Sequence, residues 1–189
     1  MVFVSTASQL EAFTQTLEKQ KIAVFVTNPT SLEQIGESIL TLGEIFDVEN
    51  KSKKVLDDIQ KRMAEVESKV KNTEKVKAFV QLDKSLYTIG KKSFLTDLLE
   101  KAGGESATAD IEEAYPKISK ERALVIDPEV IVLSDSPDND KPNEVFKNSK
   151  AVKNDKILKI NADILSRPGP RLVDALEIIA KEMHPEVFE

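Results

Sequence analysis

Only two tyrosines occur in this chain, and both fall in loop segments that interrupt its apolar runs. Tyr87 lies in Ser85–Glu105, where a loop passes through Gly90 into a helix, and Tyr115 stands beside Pro116 in Ala114–Glu121. A third segment, Asn161–Arg171, carries Asp163 and Arg167 four residues apart ahead of a proline-rich helix start. A tyrosine ring offers an apolar face with a hydroxyl at its tip, and an arginine makes charge-assisted hydrogen bonds to anionic groups. Each segment is expected just beyond the C-terminal end of a strand, where open α/β sheets bind ligands. Plainer readings stand beside this one. The tyrosines can be half-buried loop anchors, Asp163 and Arg167 can simply pair with each other, Arg167 can cap a helix, and Glu121 is one surface glutamate among many.

Other chemistry is absent from the sequence. It contains no phosphate loop, no GxGxxG, no GxSxG and no HExxH, and no acidic cluster of the calcium-loop type. With no cysteine it has neither thiol nucleophile nor thiolate metal site, and its one histidine, His184, lies near the C-terminus. His184 is expected at a frayed helix end, interacting with the last carbonyls, rather than in a catalytic role. A net charge of −6 argues against a nucleic-acid partner. No apolar run approaches the roughly 18 residues that a membrane helix needs. Met1 leads straight into Val2-Phe3-Val4, without the basic start and cleavage site of an export signal.

The elements that must position these loops follow from periodicity. Val2–Val4 reads as a strand, and Ser8 as the N-cap of a helix with Leu10, Phe13 and Leu17 on one face. Ile22–Val26 is a second strand that stops at Thr27-Asn28-Pro29, and Thr30 with Glu33 makes a capping box for a helix striped by Leu32, Ile35, Ile39 and Leu42. From Val48 to Val70 the apolar positions Val55, Ile59, Met63, Val66 and Val70 recur every three or four residues. That spacing predicts a helix roughly 35 Å long, either a stiff connector or a surface or coiled-coil segment. Strands follow at Val76–Leu82, Val130–Leu133 and Ile157–Ile160. Helices follow at Phe94–Ala102, stopped by Gly103-Gly104, after Ser119, and from Pro168 or Pro170 through Met183. Ser134–Asn143 reads as a solvated loop. The sum is an α/β protein: a partial α/β unit, a long helix and a complete α/β unit.

In order and spacing, the three loop segments resemble the C-terminal lobe of the cobalamin-binding proteins of ABC importers and their iron-siderophore and haem-binding relatives. Phe25–Phe46 resembles that family's approach to its long helix, and the similarity extends over essentially the whole chain. The resemblance implies two α/β lobes joined by one long rigid helix, with ligand in the cleft between them. Residues 1–46 would form a partial N-terminal lobe, 47–72 the backbone helix and 73–189 the C-terminal lobe, with the opening strands of the N-terminal lobe missing. It further implies a binding protein that is not an enzyme and carries no cofactor, in the periplasm or on the cell surface as a lipoprotein. Its ligand would be cobalamin or a ferric siderophore chelate, delivered to an ABC permease. The alternatives are a haem-binding relative or a truncated remnant that binds nothing, and the lack of cysteine and single histidine weigh against an enzyme on the same scaffold. Tyr87 and Tyr115 would meet the ligand with their rings, Tyr115 standing where the best-known members have tryptophan. Asp163 and Arg167 would reach its polar groups, and Glu121 would dock on the permease. The incomplete lobe would expose a sheet edge and apolar helix faces, which a second copy of the chain, or a missing piece, is expected to cover.

Overall fold

The computed structural model describes residues 1–5 and 10–189. Among the described residues six parallel strands form two sheets, one before and one after a long helix in the chain. The small sheet pairs β1 (Val2–Ser5) with β2 (Val24–Thr27), with α1 (Leu10–Lys19) between them in sequence. Ser8, read above as a helix cap, lies outside the described residues. Phe13, expected on the buried face of α1, is exposed, and Leu17 is half-buried.

Helix α2 (Leu32–Ile45) starts one residue later than the Thr30–Glu33 spacing suggests. Ser31 is the N-cap, its hydroxyl accepting from the Gln34 N–H, while the Gln34 side chain accepts from the Thr30 N–H. Helix α3 (Glu49–Val70) then runs for 22 residues, about 33 Å at 1.5 Å per residue. Val66 and Val70 are buried in the main core, and Ile59 and Met63 pack against it. Val55, at the other end of the predicted stripe, is exposed. The seam therefore tightens toward the C-terminal half of α3, where it meets the larger layer.

That layer is a four-stranded parallel sheet in the order β4-β3-β5-β6, from β3 (Val76–Gln81), β4 (Gly104–Ser106), β5 (Val130–Asp135) and β6 (Ile157–Asn161). The central strands are buried on both faces, as a parallel sheet clad by helices requires. Ala78, Val80, Val130, Val132 and Ile160 face α3, α4 (Phe94–Lys101) and α8 (Leu172–Met183). Phe79, Ile131 and Leu133 face the opposite side, under α5 (Lys120–Ile126), α6 (Lys150–Lys153) and the Phe146 ring, which lies 4.6 Å from that of Phe79. Strand β4 and helices α6 and α7 (Ala162–Leu165) are too short to leave a periodic signal. The last helix begins at Leu172, because Pro168-Gly169-Pro170 forms the turn before it.

Two polar devices lock this layer. His184 is buried, not frayed: it caps α8, and its Nε2 lies 3.2 Å from the Gly103 carbonyl, at the end of α4. Gly103 has φ +86, and a Cβ there would sit 2.4 Å from that same nitrogen, so the turn requires glycine. The second device is Arg62 of α3. Its Nε donates to Glu177 at 2.8 Å, and its Nη2 donates to Asp174 at 2.7 Å and Glu177 at 2.8 Å, both on α8. The Glu177 carboxyl is held below its ordinary range, chiefly by the hydrogen bond from Arg62, and the guanidinium is held more firmly protonated in return.

A lowered carboxyl pKa means that Glu177 contributes its stability fully above the ordinary carboxylate range and loses it as pH falls through the lowered folded value. Arg62→Ala is expected to cost about 1–3 kcal/mol at neutral pH, the range for charge-assisted hydrogen bonds. It should also flatten the acid limb of the stability curve, as read by urea denaturation between pH 3 and 7.

Candidate functional site

Tyr87 and Tyr115 stand on one two-stranded ladder built beyond the C-terminal ends of β3 and β4. The Ile118 N–H donates to the Leu86 carbonyl at 3.1 Å, Thr88 N–H to Pro116 at 2.9 Å and Gly90 N–H to Ala114 at 3.0 Å, with Tyr87 bridged antiparallel to Lys117. Alternation sends Leu86, Thr88, Pro116 and Ile118 inward, where all four are buried. The outward side chains are Tyr87, 41% exposed, Tyr115, 46% exposed, and Lys117. Half-exposed rings on a fixed backbone present an apolar face at small ordering cost.

The ladder is pinned from beneath by buried hydroxyls. Thr88 donates to the Val80 carbonyl at 2.7 Å, Thr108 to Ile89 at 2.6 Å and Thr96 to Gly90 at 2.8 Å. Gly90 comes so close to the facing segment that a Cβ would lie 2.1 Å from the Glu113 carbonyl oxygen. Leu86, buried and with φ +70, holds the turn before Tyr87 in the left-handed region that leucine disfavours. The Lys117 ammonium sits 5.4 Å from the centre of the Tyr87 ring. Burial pushes the Tyr115 hydroxyl above its usual pKa, with hydrogen bonding to Ser93 pulling the other way.

Asp163 and Arg167 reach the same edge of the sheet from beyond β6, on the far side of β3 and β5. They pair with each other at 2.8 Å, both largely exposed, so the plainer reading of this pair is met. An exposed pair is worth roughly 0–1 kcal/mol and can be redirected cheaply toward a ligand. The buried Leu165 and the Asn161 side chain, which accepts from the Asp163 N–H at 2.8 Å, fix the loop.

Glu121 is exposed in the first turn of α5, whose N-cap Ser119 accepts from the Arg122 N–H. Its own backbone N–H and the Ser119 hydroxyl hold its carboxyl below the usual range. Leu124 and Val125, on the same short helix, are also exposed. The structure thus joins the two tyrosines on one ladder and Asp163 with Arg167, and places Glu121 on the short helix that follows the ladder.

Sequence reasoning missed the buried amides that support this edge. Asn139, in the segment read as a solvated loop, is buried and donates to the Gln81, Leu82 and Ser134 carbonyls. Gln81 donates to Asn139 at 2.7 Å and accepts from the Asn143 N–H at 2.7 Å. A glutamine at the end of an otherwise apolar strand was the available signal. Among the described residues no three His, Asp or Glu side chains converge as a metal cluster. None of the described helices is long and apolar enough to cross a membrane. An apolar hollow of about 420 Å³ lies between α2, α3, α4 and α8, touching the Asp163–Arg167 loop region through Gly169.

The chain is similar to known proteins. A vitamin B12-binding protein of Vibrio parahaemolyticus is 29% identical over 166 residues, covering 85% of this chain and 60% of the relative. An uncharacterised ABC transporter substrate-binding lipoprotein of Bacillus subtilis is 24% identical over 195 aligned positions, covering 98% of this chain and 61% of the relative. The chain thus spans about three-fifths of the length of these curated relatives. Among solved structures, Helicobacter pylori CeuE in its Ni-His complex superposes with a TM-score of 0.85 at 25% identity, over 98% of this chain and 62% of that one. The periplasmic vitamin B12 binding protein of Vibrio cholerae gives a TM-score of 0.77 at 23% identity, over 97% and 74%, a likeness of fold. The family model described as periplasmic binding protein matches residues 1–164, and with that span of the sequence and both sheets accounted for, the chain belongs to the periplasmic binding protein family.

Proposed function

We propose that this chain is the extracytoplasmic substrate-binding component of an ABC importer, capturing cobalamin or a ferric siderophore chelate and delivering it to the permease. The observation that carries this reading is the ladder holding Tyr87 and Tyr115 outward at the C-terminal edge of a parallel sheet. Two rings set on one rigid strip suit a broad, flat chelate, whose apolar surface they cover while their hydroxyls meet its polar rim. Asp163 and Arg167, from the loop beyond β6, serve the ligand's amide or carboxylate groups by exchanging their mutual ion pair for charge-assisted bonds. Residues 47–72 act as the backbone between a lobe formed by 1–46 and a lobe formed by 73–189. The place of work is the periplasm or, for a lipoprotein, the outer face of the membrane, as the names of the relatives support.

Glu121 is the docking residue in this reading. Its carboxylate is exposed, kept ionised to low pH and oriented by Ser119, which suits recognition of a basic group on the permease. Such a contact contributes orientation more than affinity.

Four outcomes are expected. Titration with cobalamin, cobinamide, haem and ferric siderophores, read by calorimetry and by tyrosine emission in a chain without tryptophan, should give saturable binding to one ligand class. Tyr115→Ala should weaken it about tenfold or more, roughly 1.4 kcal/mol, with little change in the melting temperature. Unaltered affinity in that variant, or silence from every ligand, would overturn the reading. Gly90→Ala forces the Glu113 and Ile111 carbonyls apart, so it should lower both affinity and melting temperature. Glu121→Ala should leave ligand affinity unchanged while slowing uptake into proteoliposomes carrying the permease; equal uptake would remove Glu121 from the docking surface.

A further inference from the structure

Lysines gather around a hollow that the two tyrosines, Asp163 and Arg167 do not line. It measures about 620 Å³ and lies between the turn after β3, the start of α5 and residues 141–148. Lys84, Lys120, Lys141 and Lys147 line it, against a single acid, Glu144. Lys84 is paired with Asp140 at 3.1 Å, whereas Lys120, Lys141 and Lys147 form no ion pair among the described residues. In a chain of net charge −6 this local excess of positive charge runs against the balance of the whole. Like charges brought together without partners repel one another, weakly where water and salt screen them, so folding alone gives no reason for the grouping.

The backbone under these lysines is fixed. The Asn143 side chain donates to the Lys84 carbonyl at 2.7 Å and accepts from the Val145 N–H at 2.9 Å. The Asn143 N–H donates to the buried Gln81 side chain at 2.7 Å, which ties the segment to the end of β3. Phe146, in the turn Glu144–Phe146, is buried against Phe79. Only the lysine side chains remain to be ordered by a partner, which keeps the entropic cost of binding low.

Apolar surface adjoins the charge. Leu124 lines the hollow and is 64% exposed, and Val125 beside it is 72% exposed. A single exposed leucine is ordinary, but here it stands at a concavity ringed by cations, with Pro142 and Val145 in the same lining. The lining contains no arginine, hence no planar fork for one phosphate or one carboxylate. Separate ammonium groups around an apolar side chain suit carboxylates spread along a chain that also carries an apolar residue. A concave lining with Glu144 in it fits a flat anionic lipid surface poorly, whereas a protruding segment can enter it.

We propose that this hollow docks an acidic segment of a partner protein. Carboxylates of the segment meet Lys120, Lys141 and Lys147, and an apolar side chain rests against Leu124. Opposite charge speeds and orients the encounter, and the inference does not depend on which ligand the tyrosine ladder takes.

The probe is a dye-labelled peptide, Glu-Leu-Glu-Glu-Leu-Glu, with a control in which glutamine replaces every glutamate. Fluorescence anisotropy should give a dissociation constant of about 0.1–1 mM at low salt, the strength of a small and largely electrostatic contact. Raising salt from about 50 to about 500 mM should weaken it about tenfold. Amide shifts in nuclear magnetic resonance spectra should cluster at Lys84 and at residues 120–125 and 141–148. Lys141→Glu combined with Lys147→Glu should weaken binding at least about tenfold at an unchanged melting temperature, since both side chains are exposed. Absence of binding up to about 5 mM, equal binding of the glutamine peptide, or unchanged affinity in the double variant would each overturn the proposal. So would tighter association with phosphatidylglycerol vesicles that the double variant abolishes, in favour of a lipid surface.

Discussion

The arrangement depends on one helix having to serve two layers with a single apolar stripe. At its C-terminal half α3 buries Val66 and Val70 in the core of the large sheet, each worth about 1.5–3 kcal/mol relative to exposure. Arg62 clamps the same stretch to Asp174 and Glu177. Toward its N-terminus the stripe thins, Val55 faces solvent, and α2 supplies the packing instead. The ion-paired clamp fixes the rotation of α3 about its own axis, which apolar side chains alone specify loosely. With that rotation set, α2 and the small sheet inherit their direction relative to the large one.

The edge that carries the candidate ligand residues is rigid for a different reason. Loops normally lie on the surface with their polar groups solvated, but here the loop backbones are drawn down onto buried hydroxyls and amides: Thr88, Thr96, Thr108, Gln81 and Asn139. Each satisfies a carbonyl that burial would otherwise strand. The tyrosines need not be ordered by whatever they touch, because the ladder under them is already fixed. Asp163 and Arg167, paired with each other at an exposed site, are held less firmly.

Much of the fold was legible because long elements repeat their signal. The 22 residues of α3, the uninterrupted Val130–Leu133 run and the stripe from Leu172 to Met183 each announce themselves by period or by length. Strand β4, three residues of Gly-Glu-Ser, does not, since its place is decided by pairing with β3 and not by local propensity. The cap of α2 slipped by one residue because Thr30 with Glu33 and Ser31 with Gln34 are both valid capping pairs, and packing chooses between them. His184 and Asn139 were misread for a shared reason. A polar residue near a terminus or in an Asp-rich loop looks solvated until the tertiary partner, Gly103 or Gln81, is known. The tyrosines were found by rarity, whereas the antiparallel ladder that unites them depends on residues 30 apart in sequence and has no local trace.

The ammonium of Lys117 over the Tyr87 ring has a consequence for what this edge accepts when nothing is bound. A ring with a cation against its electron-rich side is partly masked, so a neutral aromatic molecule arriving there must displace a hydrated charge to stack on it. A molecule with negative groups at its periphery faces no such toll, because the ammonium can swing toward that periphery and uncover the ring as it does so. If a ligand binds at this edge as proposed, one lysine would make the apolar face conditional on the charge of the visitor, by electrostatic exchange that needs no movement of the backbone.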